Sequence, residues 1–287
     1  MRTDQDVLAK IIEVAQKDDL IRAAFMNGSR VNPLAPKDRF QDFDIVYIVT
    51  SIDPFKKDHS WINAFGERVI VQVPDEMDLY LYPGEASQNR FAYLMQFSDG
   101  HRIDLTLFNQ EVAAEAYYAD SLRQVLIDKD AIFHEDEQHT SNDANYHVKR
   151  PDEHLFYACC NEFFWVSTYV AKGLCRDELP IAKTMMEGPV RSMLIQMLSW
   201  KIGIAHDFKV NVGKDGRWLK RFLAKDEWEA YAITYPNGDQ WAMWEALEAM
   251  CRLFRDVGMN VAHELNYDYP LEEDKRVVSY LRGMRQN

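Results

Sequence analysis

Along the first fifty residues the spacing of apolar positions changes period twice. Val7, Ile11, Val14 and Ala15 recur at the helical interval and predict an amphipathic helix over residues 4–17, with Thr3 or Asp4 as its N-cap. Residues 20–26, LIRAAFM, form a short apolar run that stops abruptly at Asn27, Gly28 and Ser29, and read as a strand. Pro33 and Pro36 limit residues 30–39 to a helical turn or two. A second strand follows over residues 40–50, FQDFDIVYIVT, in which Asp42 and Asp44 interrupt an otherwise apolar run.

Asp53 and Pro54 look like the N-cap and first position of a helix carrying Phe55, Trp61, Ile62 and Phe65. Residues 68–73, RVIVQV, are β-branched and strand-like, and residues 74–81 read as a loop or one short helix with Met77 and Leu81 turned inward. Two alternating runs, 91–98 and 101–108, flank Asp99-Gly100, the composition of a two-residue type I′ hairpin turn. On the second of these strands Arg102, Asp104 and Thr106 share one face, and His101, Ile103, Leu105 and Leu107 the other. Residues 110–120 look helical and 124–127 look like a last strand.

The polar stretch 134–150 marks a boundary, and beyond it the periodicity is helical throughout. One helix is expected over 151–173, opened by Pro151 and closed by Gly173; a second spans 177–204, either continuous or broken at Gly188-Pro189. Shorter pieces at 217–234 precede helices at about 239–257 and 270–285. The pattern predicts an α+β fold: a mixed-sheet domain over residues 1–135, then a C-terminal α-helical bundle domain over 146–287.

Composition narrows the function classes. A chain of 287 residues with 47% hydrophobic and 13% aromatic content has material for two cores. A formal net charge of -13 argues against nucleic acid or an anionic membrane surface as partner and suits a cationic substrate. Cys159, Cys160, Cys175 and Cys251 lack zinc-ligand spacing and read as reduced, mostly core residues. The opening residues lack the apolar segment of a signal peptide, so a cytoplasmic protein is expected. Gly213-Lys214-Asp215-Gly216 lacks the spacing of a phosphate-binding loop and reads as a turn.

The chemistry starts at Asp42 and Asp44. Side chains two apart on a strand point to one face, so the two carboxylates stand together and call for a cation. Carboxylate oxygens at a strand end make a good seat for Mg2+, which keeps room for water and phosphate. Taken in order, a strand ending in Gly28-Ser29, a strand with Asp42-x-Asp44 and a later strand with Asp104 resemble the DNA polymerase β-type nucleotidyltransferase superfamily.

Further segments sharpen this resemblance. NGSRVNP at 27–33, FQDFDI at 40–45, IDLTL at 103–107, VLIDKD at 125–130, NEFFWV at 161–166, YVAKGLCR at 169–176 and SWKIG at 199–203 look like the bacterial aminoglycoside 6-adenylyltransferases, which modify streptomycin. The resemblance implies AMP transfer from Mg-ATP to a hydroxyl, the 6-hydroxyl of streptomycin in the first instance, with another aminoglycoside, a protein hydroxyl, or nucleotide binding without catalysis as alternatives. It implies that Asp42, Asp44 and Asp104 are catalytic and hold the metal, with Asp104 either a third ligand or the base that takes the hydroxyl proton. Gly28, Ser29 and Arg30 fall to the nucleotide, and Lys201 to its phosphates.

The helical domain is then expected to hold the acceptor. Glu162, Trp165 and Tyr169 share a helical face, and a carboxylate beside aromatic rings suits a guanidinium-bearing ring.

Overall fold

In the computed structural model, residues 2–81, 88–133 and 139–286 are described, and the chain forms two compact units, Met1–Asn145 and Tyr146–Asn287. Part of the polar stretch, residues 134–138, lies outside the described residues.

The first unit is built on six strands: β1 (Ile21–Asn27), β2 (Phe43–Val49), β3 (Arg68–Gln72), β4 (Arg90–Phe97), β5 (Arg102–Asn109) and β6 (Arg123–Asp128). Their spatial order is β3-β4-β5-β2-β1-β6; β2 and β5 run parallel and every other neighbour antiparallel. This is the mixed sheet of an α+β fold.

Strand alternation sorts the side chains into two layers. Ile45, Tyr47, Val49, Leu105 and Leu107 face helix α1 (Asp4–Lys17), which buries Val7, Ile11 and Ala15 against them. Thr3 and Asp6 close a capping box at its start, the Asp6 carboxylate accepting from the Thr3 N–H and the Thr3 hydroxyl from the Asp6 N–H. The buried Tyr47 hydroxyl donates to the Ile11 carbonyl at 2.6 Å. On the opposite face Ala23, Phe25, Val46 and Ile48 pack with Phe133 and with Ala113 and Tyr117.

Four local expectations need correction. The helix expected from Asp53 splits into α2 (Asp53–Lys57) and a 3-10 helix at His59–Phe65, because the Asp58 carboxylate accepts from the Ser60 N–H and starts a new cap. Residues 74–81 do form a helix, α3 (Pro74–Leu81), but Met77 and Leu81 are exposed. The hairpin loop has three residues, Ser98-Asp99-Gly100. The Phe97 N–H donates to the His101 carbonyl and the Gly100 N–H to the Phe97 carbonyl, and only Gly100, at φ +92°, is left-handed. The Asp99 carboxylate accepts from the His101 N–H and from Arg2, a local turn that keeps Asp99 out of the left-handed region a type I′ turn requires. The helix expected over 110–120 is short, α4 (Ala113–Tyr118), after one 3-10 turn.

The second unit is helical: α5 (Glu153–Cys175), α6 (Leu179–Met185), α7 (Arg191–Ala205), α8 (Lys225–Ala232), α9 (Gln240–Leu265) and α10 (Leu271–Gln286). Asp152 caps α5 through the Leu155 N–H, so Pro151 lies before the cap, not inside the helix. Gly173 does not end α5; it lies where a Cβ would come within 3.1 Å of Ala182, and the glycine lets α6 pack close. No break occurs at Gly188-Pro189. A wider π turn over Met186–Val190 joins α6 to α7 and takes up the missing Pro189 N–H. Phe163 stacks on Phe254 at 3.8 Å in a core shared with Trp200, Leu194 and Met250. Cys159, Cys160 and Cys251 are buried free thiols and Cys175 is exposed. Among the described residues no helix is long and apolar enough to cross a membrane.

Candidate active site

The acidic site lies at one end of the β1-β2-β5 face whose other end is filled by Phe25, Val46 and Ile48. The parallel register sets Asp44 opposite Asp104, and the same register continued one step carries Asp42 opposite Arg102. Asp42 itself sits just before β2, which begins at Phe43. The result is a square of four charged side chains at one end of two neighbouring strands. Across the antiparallel pair, Asn27 of β1 lies opposite Asp44.

Arg102 is the cation within the square. Its Nε donates to Asp104 Oδ1 at 2.7 Å and its terminal nitrogen to Oδ2 at 2.8 Å, and Nε lies 3.8 Å from Asp42 Oδ2. The hydrogen bond to Asp104 raises the guanidinium pKa further, with the Asp42 and Asp44 charges adding to it. Strand alternation puts Arg102 on the face of Asp104, so the signal is present in the sequence, but spacing alone gives the arginine no role.

Gly28 presses its backbone against Asp44. It opens a 3-10 turn, Gly28–Val31, at φ +74°, and a Cβ there would lie 2.0 Å from Asp44 Oδ2. Only glycine fits both the angle and the space. Ser29 follows, its carbonyl accepting from the Gln41 side chain at 3.1 Å, which ties this turn to the approach to β2. Arg30 is fully engaged within the fold. It donates to the Asp42 and Gln41 carbonyls at 3.1 and 2.7 Å, pairs with Asp4 at 2.6 Å, and lies 3.6 Å over the Phe43 ring. In doing so it braces the turn that carries Asp42, and it holds the Asp4 carboxyl below the usual carboxylate range.

The donor chemistry fits a hard divalent cation. Asp42, Asp44 and Asp104 offer carboxylate oxygens, and Asn27 Oδ1 is buried without a hydrogen-bond partner beside Asp44. Among the described residues, however, no group of three His, Cys, Asp or Glu side chains is drawn together closely enough to hold a metal. Arg102 stands among the carboxylates instead.

In the helical unit, Glu162, Trp165 and Tyr169 project from the exposed face of α5, opposite Phe163, Phe164 and Val170 of the core. Trp165 is 58% exposed and Tyr169 42%, and Trp165 Nε1 donates to the Tyr169 hydroxyl at 2.9 Å. An aromatic stripe at helical spacing usually packs inward; this one does not. Lys201 of α7 pairs with Glu227 of α8.

Comparison with known proteins adds to this geometry. The model of the family described as streptomycin adenylyltransferase matches residues 1–284. The chain belongs to this family. It is accordingly a nucleotidyltransferase, and it carries the mixed sheet and helical C-terminal region described above. An aminoglycoside 6-adenylyltransferase of Campylobacter jejuni is 40% identical over 96% of this chain and 93% of its own length. One from Bacillus subtilis is 38% identical over 99% of this chain and 98% of its own. A crystal structure of an aminoglycoside 6-adenyltransferase from Bacillus subtilis matches at 32% identity over 100% of both chains, with a TM-score of 0.49.

Proposed function

We propose that this adenylyltransferase moves AMP from Mg-ATP to a hydroxyl of streptomycin, the 6-hydroxyl of its streptidine ring, and releases pyrophosphate. The observation that carries the reading is the register of Asp44 with Asp104, with Asp42 at the same strand end and the Gly28 backbone against Asp44. The names of the relatives support the acceptor class.

In the proposed reaction the acceptor oxygen forms a bond to the α-phosphorus while the bond from that phosphorus to the bridging oxygen breaks. Pyrophosphate departs, and the hydroxyl proton passes to a base, for which Asp104 is the candidate. Asp42 and Asp44 would hold Mg2+, which supplies stabilisation of negative charge gathering on the phosphoryl oxygens. The Gly28-Ser29 turn would offer backbone N–H groups to the phosphates, and the missing Cβ leaves room for the Asp44 carboxylate beside them. Arg30 acts from behind this turn, fixing the approach to Asp42. On the helical unit, Glu162 with Trp165 and Tyr169 offers a carboxylate and ring faces to a guanidinium, an ion pair and a cation-π contact together. Lys201, which pairs with Glu227, is assigned to the phosphates.

The test is pyrophosphate release with Mg-ATP and streptomycin, beside kanamycin and spectinomycin, with product masses recorded. A gain of one AMP on streptomycin, abolished in Asp42→Asn and in Asp104→Asn, is expected. Turnover on kanamycin or spectinomycin alone would move the reading to another aminoglycoside, and full activity in both variants would remove the aspartates from it.

A further inference from the structure

Three carboxylates at one strand end repel one another, and the molecule answers with a side chain of its own. The Arg102 fork grips both oxygens of Asp104 at 2.7 and 2.8 Å and leans to within 3.8 Å of Asp42. The contact is set by the fold, because residues two apart on β5 share a face and the parallel register puts Arg102 and Asp104 beside the two aspartates of β2. A fork-to-fork pair is the strongest and most directional form this interaction takes. While it lasts, one lone-pair direction on each Asp104 oxygen is taken by an N–H group. An approaching divalent cation meets a guanidinium in its way, and a hydroxyl proton meets a carboxylate already holding two N–H groups.

We infer that Arg102 is a resident counter-ion, which competes with the divalent cation for Asp104 and has to leave that carboxylate before Asp104 can serve. This holds whether Asp104 is a metal ligand or the base, and it rests on the metal-dependent reading given above. Arg102 is therefore a positioning residue that offsets part of the cluster's negative charge and shields Asp104 until metal arrives. Its side chain is 41% exposed, so it has solvent-side space to swing into.

The experiment is Mn2+ binding to the full chain without nucleotide, followed by the electron paramagnetic resonance of free Mn2+. It compares wild type, Arg102→Gln, Arg102→Lys, Asp104→Asn and the Arg102→Gln/Asp104→Asn pair, with circular dichroism as the folding check. Removing a competing unit charge a few ångströms from a divalent ion is expected to tighten binding in Arg102→Gln by about tenfold or more. Arg102→Lys, which keeps the charge, should stay near wild type, and Arg102→Gln should tighten binding less on the Asp104→Asn background than on wild type, because only the charge effect at Asp42 and Asp44 remains there. A merely structural arginine would give the opposite sign in Arg102→Gln. A second measurement needs no altered fold: in wild type labelled with 15N-arginine, Mg2+ should release the Arg102 Nε–H from its protected bond. Wild-type Mn2+ binding with unchanged or weaker binding in Arg102→Gln overturns the inference and leaves the metal reading standing. Mn2+ bound by none of the proteins overturns both.

Discussion

Gly28 and Asp44 stand so close that a single methyl group on the glycine would lie 2.0 Å from the aspartate Oδ2. The two residues sit on adjacent segments, the turn after β1 and the second residue of β2, and the strand pairing of Asn27 with Asp44 brings them together. Gly28→Ala therefore meets two penalties: a left-handed φ of +74° and a carboxylate that has to move aside. The backbone cost is about 1–3 kcal/mol of stability. If Asp44 holds the metal, displacing it by an ångström is expected to lower kcat about a hundredfold. Urea denaturation and steady-state kinetics on the same preparation check both effects; wild-type kcat would show that Asp44 need not hold its place.

The exposed face of α5 gives a prediction that separates the two substrates. Trp165 is more than half exposed and lies opposite the core, so Trp165→Ala should change stability by no more than about 0.5 kcal/mol. If its ring meets a guanidinium, a contact of ~0.5–2 kcal/mol is lost and KM for streptomycin rises about two- to thirtyfold. KM for ATP should stay constant. Glu162→Gln should raise the same KM in a salt-sensitive way, because an ion pair at an exposed site is screened. Equal changes in both KM values would place the stripe elsewhere in the mechanism.

Much of this architecture was legible in the chain, and the misses share a cause. The helical period of Val7, Ile11 and Ala15 and the alternation through Ile103, Leu105 and Leu107 report burial directly, and α1 and β5 follow them. Met77 and Leu81 are apolar yet exposed on α3, which no spacing rule distinguishes from an inward stripe. The Asp58 cap, the Asp99 turn and the π turn at Pro189 each depend on one side chain or one missing N–H choosing a local partner. Such choices are finer than a hydrophobic period. At the candidate site the order of Gly28, Asp44 and Asp104 along the chain pointed to the cluster. The parallel pairing that sets Asp44 beside Asp104, and so Arg102 beside Asp42, needed the sheet order. The engagement of Arg30 by Asp4 and Phe43 was equally invisible, since those partners come from α1 and β2.

The hairpin turn carries an acid-sensitive contact. Arg2 donates to Asp99 Oδ2 at 2.6 Å, and this bond, helped by the His101 backbone N–H, holds the Asp99 carboxyl far below the usual carboxylate range. A pKa depressed in the folded state stabilises the fold above the unfolded value, about 3.9 for aspartate, and that contribution is lost as pH falls through the folded value. Wild type and Asp99→Asn should therefore differ in hairpin protection at pH 7 and converge as pH falls below about 4. Amide exchange at Phe97 and Gly100, whose N–H groups close the loop, reads this directly. A gap that persists unchanged into acid would mean that the Asp99 charge is not what holds the turn.

The last two helices are tied by a buried charge, and this sets the largest expected change in stability. Asp274 in the first turn of α10 is fully buried; Arg255 of α9 grips it at 2.6 and 2.5 Å, and the Tyr269 hydroxyl donates to it at 2.8 Å. Burial and this carboxylate together push the Tyr269 pKa upward, which keeps the hydroxyl a donor. Arg255→Met leaves a carboxylate in the interior with one neutral partner, and the loss is expected to be about 3–5 kcal/mol. Asp274→Leu strands a guanidinium that can still turn to solvent, since the Arg255 side chain is 29% exposed, so it should cost less. Replacing both removes the uncompensated charge altogether, and the double variant should recover most of what Arg255→Met lost. A double-mutant cycle in urea gives the coupling; single costs that simply add, within about 0.5 kcal/mol, would mean that packing of α10 and not the ion pair holds the helix in place.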